Sequence, residues 1–242
     1  MSTRLVIDAG HGGSDSGAVY FGYVEKELNL QLALKVQEKF KDYDCKIFMT
    51  RTTDKDMSLY DRGHMAVELN CDAFISLHFN AFNGQAKGFV SMYSYLPECA
   101  EKSKYIAECI ADEYKKAGLH VNGIWTKESE TMKGHNWFGV LRGAEPVPAL
   151  ILEGLFMDNP EEIELLKSEN FLDRLADIYV KGIVRALNIS PKVIKSWEQE
   201  LGEKAIKSLA EKGKINNPDE WLAKDLTEPT PLWLFFEMCN RM

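Results

Sequence analysis

Short apolar runs and amphipathic stretches alternate along the first three quarters of the chain. The apolar runs predict strands at residues 5–7, 45–50, 73–78, 89–95 and 148–154. Stretches with apolar residues every three or four positions predict helices at residues 25–43, 59–70, 97–116 and 159–187. Residues 119–140 show no clear period and are predicted to be loops. Strands that alternate with helices indicate an α/β fold with a mostly parallel sheet.

Local signals support these boundaries. Leu28, Leu32 and Val36 recur every four residues in the first helix, and Glu25 and Glu27 lie in its first turn, where the helix dipole favours acids. Before the second helix, Ser58 is followed three residues later by Asp61, as in a capping box.

Three chemically active side chains end three apolar strands. His11 follows the first strand, His78 ends the run at 73–78, and Glu153 ends the run at 148–154. Sites in parallel sheets lie at the carboxyl ends of the strands, so these side chains are expected to meet. Two alternatives remain open for them. The glycine-rich turn around His11 merely reverses the chain, or Glu153 forms a buried ion pair with Arg62 or Arg142.

His11, Glu25 and His78 together supply the donor set of a catalytic zinc site, which needs three protein ligands and an open position. Glu25 begins a helix directly after the glycine-rich turn, which lets its carboxylate reach back over the first strand. Glu27 is a rival for the same position. Glu153 is then a candidate general base beside the metal.

Composition argues against several classes of protein. The net charge of −8 argues against nonspecific nucleic-acid binding. Five scattered cysteines without a CxxC pair indicate free thiols made in a reducing cytoplasm. No run approaches the roughly 18 apolar residues of a membrane span. No signal peptide is recognised, so we expect synthesis in the cytoplasm and release without an N-terminal leader, unless a leader has been removed.

The last fifty residues differ in character. We predict one domain at residues 1–189 and a small helical unit at residues 190–242. The unit begins with an apolar stripe at helical spacing, which comprises Ile194, Trp197, Leu201, Ala205 and Leu209. An Asn-Pro pair at 217–218 then predicts the start of a short second segment, and a final apolar segment follows at 232–238. So few residues form only a marginal core. The unit is therefore expected to dock on the main domain, on its twin in a dimer, or on a ligand.

Five ordered motifs carry a resemblance that covers residue 5 to about residue 187. They are IDAGHGG, EKELNL, TRTTD, FISLHFNA and PALILEGLFMDNPEE. Together they resemble the zinc-dependent N-acetylmuramoyl-L-alanine amidases of the amidase-3 type, which are bacterial and phage peptidoglycan hydrolases. The resemblance implies a twisted six-stranded sheet flanked by helices, Zn²⁺ held by His11, Glu25 and His78, and catalysis by Glu153. EKEL replaces the commoner EKDL, which keeps Glu27 as a minor rival ligand, and ILEGLF alters the usual residues after the catalytic acid.

The implied reaction is hydrolysis of the amide bond between N-acetylmuramic acid and L-alanine by zinc-activated water, as in a phage or prophage endolysin whose partner is peptidoglycan. The small unit at residues 190–242 is then expected to bind the cell wall or to dimerise. Asn80 is expected to orient substrate or to support a turn. Arg142 is expected to meet a peptide carboxylate or to form an ion pair with the core. The competing functions are a non-catalytic wall-binding relative and another zinc peptidase or deacetylase on the same fold.

Overall fold

The computed structural model describes residues 2–193 and 197–223. Its strands in chain order are β1 (Thr3–Ala9), β2 (Val19–Tyr20), β3 (Tyr23–Val24), β4 (Cys45–Met49), β5 (Ala73–Asn80), β6 (Phe89–Tyr93), β7 (Val121–Trp125) and β8 (Ala149–Phe156). Within these described residues, six strands form one sheet in the order β4-β1-β5-β8-β6-β7, while β2 and β3 form a small hairpin. The sheet is mostly parallel, as predicted, because only the β6–β8 pair is antiparallel.

The helices lie where the hydrophobic pattern predicts most of them. They are α1 (Glu25–Lys39), α2 (Leu59–Glu68), α3 (Pro97–Lys116), α4 (Gly139–Gly143), α5 (Pro160–Leu166), α6 (Phe171–Leu187), α7 (Trp197–Glu211) and α8 (Pro218–Leu222). A 3-10 turn, Phe40–Asp42, extends α1. Ser58 caps α2 by accepting a hydrogen bond from the backbone N–H of Asp61, so the predicted capping contact is confirmed.

Helices cover both faces of the sheet, which explains why its central strands are apolar on both sides. On one face Ile7, Ile75 and Leu152 pack with buried residues of α1, α3 and α6. On the other face Val6 and Phe74 pack with buried residues of α2 and α4. The predicted α/β architecture is therefore confirmed.

Two local predictions are wrong. Residues 119–140 are not all loop, because Val121–Trp125 forms β7 and pairs in parallel with β6. β7 lies at the sheet edge and contains Gly123, so it lacks the continuous apolar pattern of a central strand. The single helix predicted at 159–187 is two helices, α5 and α6. The polar residues 167–170 between them offer no apolar side chain to the core, and the chain changes direction there.

The chain divides after Pro191 into two compact units. In the second unit, α7 is followed by Gly213 at a φ of 64°, a left-handed conformation that suits a helix end. Ile194 and the predicted apolar piece at 232–238 lie outside the described residues. The role of this unit in wall binding or dimerisation stays a prediction. None of the described helices combines the length and the apolar character that crossing a bilayer requires.

Candidate metal centre and active site

The glycine-rich turn after β1 brings two histidines together. His11 has a φ of 59°, and the following Gly12 has a φ of 130°, so the chain reverses sharply. A Cβ on Gly10 would lie 2.2 Å from the ring of His78, so only glycine allows β5 to place this ring against the turn. The ring centroids of His11 and His78 are 4.8 Å apart.

Glu25, the first residue of α1, lies between the two imidazoles. Its Oε1 is 3.1 Å from Nε2 of His11 and 2.9 Å from Nδ1 of His78. Ligand atoms of these three residues all lie within 4.8 Å of one another. Tetrahedral zinc with bonds of about 2.0–2.2 Å has ligand atoms about 3.3–3.6 Å apart, so the cluster fits such an ion after small shifts. Glu27, the rival ligand, lies on the exposed side of α1, away from both imidazoles.

Neighbouring groups orient two of the three donors, His11 and Glu25. Nδ1 of His11 is 2.7 Å from Oδ2 of Asp15, which leaves Nε2 to face Glu25. The buried amide of Asn29 donates to Oε1 of Glu25 at 3.3 Å and to the carbonyl of Gly10 at 3.1 Å. Histidines that bind metals commonly have such a carboxylate on their other nitrogen. Asp15 and Asn29 were not among the site residues predicted from the sequence, although each lies four residues after a proposed ligand.

Opposite charges hold the cluster together. Burial opposes charge on Glu25, but hydrogen bonds from His11 and His78 hold the pKa of this carboxyl well below its usual range. Burial also disfavours protonated imidazole, yet the Glu25 and Asp15 carboxylates outweigh it and raise the pKa of His11 to about 9. The same balance, with Glu25 as the main partner, raises the pKa of His78. The site thus has a strong preference for a positive charge next to Glu25.

Glu153 lies on β8 beside His78, its register partner on β5. Its Oε2 is shielded from solvent and has no hydrogen-bond partner among the described residues. Burial raises the pKa of Glu153 to about 7, although the positive charge of His78 opposes the rise. A carboxyl group with this pKa can both accept and release a proton near neutral pH.

Neither arginine considered for an ion pair with Glu153 forms one. Nη1 of Arg62 is 2.9 Å from Oδ1 of Asp8 on β1, and both side chains are buried. Asp8 also accepts hydrogen bonds from Thr50 and Ser76, each at 2.6 Å. Nη2 of Arg62 donates to the carbonyl of His11 at 2.7 Å. This second buried pair fixes the turn and leaves Glu153 without an ion pair in the described part of the chain.

Arg51 also supports the turn, a role that the sequence analysis did not assign. Its buried guanidinium donates to the carbonyls of Ala9, Gly10 and Lys26 at 2.7–2.9 Å. These bonds connect the end of β1 to the first turn of α1, and thereby His11 to Glu25. The TR pair within the third motif was the available signal.

The two predicted substrate residues have structural contacts. Oδ1 of Asn80 accepts from the backbone N–H of Ala81 at 2.9 Å, the geometry of a turn. Nη1 of Arg142 donates to the carbonyls of Asn136 and Trp137 at 2.8 and 2.6 Å, and forms no ion pair with the core among the described residues. Their contact with substrate stays a prediction.

A groove of about 660 Å³ opens over the cluster of His11, Glu25 and His78. Its lining includes His11, His78, Asp15, Arg62, Leu59 and Val140. His11 and His78 therefore lie where a substrate from solvent reaches them, in a groove lined by both polar and apolar side chains.

Comparison with known proteins decides the family. The model of the amidase-3 family of N-acetylmuramoyl-L-alanine amidases matches residues 5–185. The chain belongs to this family. As an N-acetylmuramoyl-L-alanine amidase, it hydrolyses the amide bond between N-acetylmuramic acid and L-alanine in peptidoglycan.

Individual relatives agree with the family. The endolysin of Bacillus phage SPP1 is 35% identical over 198 residues, which span 79% of this chain and 69% of that protein. The amidase CwlM of Bacillus licheniformis is 34% identical over 189 residues, which span 77% and 70%. The solved catalytic domain of CwlV from Bacillus (Paenibacillus) polymyxa var. colistinus is 31% identical, with a TM-score of 0.66 over 77% of this chain and 98% of that one. The resemblance inferred from the motifs is confirmed.

Proposed function

We propose that this amidase is zinc-dependent, with His11, Glu25 and His78 as ligands and Glu153 as the group that transfers protons. The observation that carries the proposal is the convergence of three donor side chains from separate segments beside Glu153, whose buried Oε2 has no hydrogen-bond partner among the described residues. Two imidazoles and one carboxylate are a recognised donor set of catalytic zinc, with a fourth position left for water or substrate.

The metal and the protein side chains would have different roles in the reaction. Zinc at this site would polarise the scissile carbonyl and make a water molecule more acidic. Glu153 accepts a proton from the attacking water as the new C–O bond forms. It then donates that proton to the nitrogen of L-alanine as the C–N bond breaks, which leaves a carboxylic acid on N-acetylmuramic acid and a free amine on the peptide; the acid then loses its proton to solvent. A pKa of about 7 suits both halves of this exchange.

The cellular role that fits best is that of a phage or prophage endolysin acting on the cell wall after release. The phage endolysin relative, similar over most of both chains, supports this role. Peptidoglycan is then the partner, and the second unit, from Lys192 on, is available for wall binding or for dimerisation.

Elemental analysis combined with mass spectrometry of digested muropeptides tests the proposal. Purified protein is expected to contain one zinc per chain and to release peptides with a free L-alanine amine from intact N-acetylmuramic acid. His78→Ala is expected to lose both zinc and activity. His64→Ala is the matched control, because His64 stacks on Tyr60 on the surface of α2 and contacts none of the proposed ligands.

Four results would contradict the proposal. Binding of cell walls without any cleavage would indicate a non-catalytic relative. Cleavage within the peptide would indicate a peptidase, and release of acetate would indicate a deacetylase. Full activity without bound metal would exclude zinc dependence while leaving the family unchanged.

A further inference from the structure

A second groove adjoins the active-site groove. It has a volume of about 400 Å³ and is lined by Leu59, Tyr60, Met132, His135, Gly139, Arg142 and Glu145. Leu59, at the start of α2, lines both grooves. A substrate bound over the metal cluster can therefore continue across Leu59 into the second groove.

Hydrogen-bond acceptors in this second groove are already occupied. Oε2 of Glu145 is 2.6 Å from Nδ1 of His135. Oε1 of Glu145 accepts from the backbone and side-chain nitrogens of Asn136 at 2.9 and 2.7 Å. Both oxygens of the Glu145 carboxylate are thus committed to holding its own loop.

The donors, in contrast, are partly free. Nη1 of Arg142 is bound to two carbonyls of the loop, whereas Nε and Nη2 have no partner in the described part of the chain. A Cβ built on Gly139 would lie 3.6 Å from Nη2 of Arg142 and 3.1 Å from Cδ1 of Leu59. The free end of the guanidinium is therefore close to Leu59, at the junction of the two grooves.

The rim of the second groove is apolar and exposed. Leu59, Tyr60 and Met132 are exposed by 60%, 58% and 48%. Exposed apolar side chains around a charged donor suit an aliphatic ligand that carries an anionic group.

We propose that this second groove is a subsite for the acidic peptide stem of the substrate, with Arg142 binding one of its carboxylates. The inference rests on the proposed function, because it places the stem on the side of the scissile bond that leaves as a peptide. Arg142 acts here as a specificity residue. Its bound Nη1 holds the guanidinium in place, so little side-chain freedom is lost when a carboxylate binds the free nitrogens.

The test compares two substrates that differ only in charge. One is N-acetylmuramoyl-L-Ala-D-Glu-L-Lys-D-Ala with free carboxylates, and the other carries both carboxylates as amides. We expect kcat/KM to be about tenfold higher for the free acid, mainly through KM, as one charge-assisted hydrogen bond predicts. In Arg142→Gln the ratio is expected to fall towards one.

Two further variants make the result specific. Lys133→Gln removes a positive charge from the same loop outside the groove, where Lys133 pairs with Glu128, and is expected to keep the wild-type ratio. Gly139→Ala keeps the loop contacts of Arg142 but places a methyl group beside Nη2, and is expected to lower the ratio. If Arg142→Gln does not fold, Gly139→Ala decides whether Arg142 binds the stem carboxylate.

A wild-type ratio near one, or an unchanged ratio in both Arg142→Gln and Gly139→Ala, would overturn the subsite. If the wild-type protein cleaves neither substrate, the proposed function fails instead. Calorimetric titration of the same two compounds then decides the subsite independently, since preferential binding of the free acid is still expected and equal binding would refute it.

Discussion

Two carboxylates at the same end of the sheet have opposite surroundings. Asp8 on β1 and Glu153 on β8 lie on strands that flank β5. Asp8 receives hydrogen bonds from Thr50 and Ser76 and pairs with Arg62, so both its oxygens are used. Oε2 of Glu153 is equally hidden from solvent but has no hydrogen-bond partner in the described chain.

The difference distinguishes a carboxylate that supports the fold, Asp8, from one that can transfer a proton in the reaction, Glu153. A buried polar atom without a partner costs about 1–3 kcal/mol of stability, so folded proteins rarely keep one without a use. The satisfied Asp8 holds the turn that carries His11, through the bond from Arg62 to the His11 carbonyl. The unsatisfied Glu153 faces the proposed metal cluster and retains its capacity to exchange a proton.

Glu153→Gln is the variant with the largest expected effect, because it tests whether Glu153 transfers the proton. The amide keeps the shape but cannot transfer the proton, so kcat is expected to fall about 10²–10⁴-fold. The melting temperature should stay the same or rise, because the carboxyl group has no hydrogen bond at Oε2 to lose. Activity assays and thermal unfolding measure both effects. Glu27→Gln, an exposed acid on α1, is the control for charge; a Glu153→Gln enzyme with wild-type kcat would refute the catalytic assignment.

Asp8→Asn should have the opposite profile. It leaves the buried guanidinium of Arg62 without its charged partner, which is expected to destabilise the fold by about 3–5 kcal/mol. Urea unfolding measures the change, with Asp177→Asn as the control because Asp177 pairs with Lys39 at the surface. A stability loss no larger than that of the control would show that the Asp8–Arg62 pair does not support the turn.

Asn29→Ala tests a third kind of residue, neither catalytic nor purely structural. Asn29 is proposed to orient the metal ligand Glu25 without binding the metal itself. Removing the amide that contacts Glu25 and the Gly10 carbonyl is expected to weaken zinc affinity about 10–100-fold. Competition with a chromogenic chelator measures the affinity, and Asp15→Asn should behave similarly through His11. Unchanged zinc affinity in both variants would show that these contacts only support the fold.

Much of this arrangement follows from the order of the amino acids alone. Apolar runs locate the central strands, and the strand ends point to His11, His78 and Glu153 because parallel strands present their carboxyl ends at one edge. The less regular pieces do not follow in this way. β7 lies at the sheet edge, so its residues lack the regular apolar pattern of a buried strand. The break between α5 and α6 depends on which helix faces pack against the core, and the local sequence pattern does not reveal this.

By itself, the sequence determined the α/β class, the family and the segments that contribute to the site, because periodicity and ordered motifs are properties of neighbouring residues. Tertiary structure alone decided which charges meet. Glu25 faces the histidines while Glu27 faces solvent, and Arg62 pairs with Asp8 rather than with Glu153. Arg62 is 54 residues from Asp8 in the chain, and such a pairing depends on distance and desolvation, which only the folded chain defines.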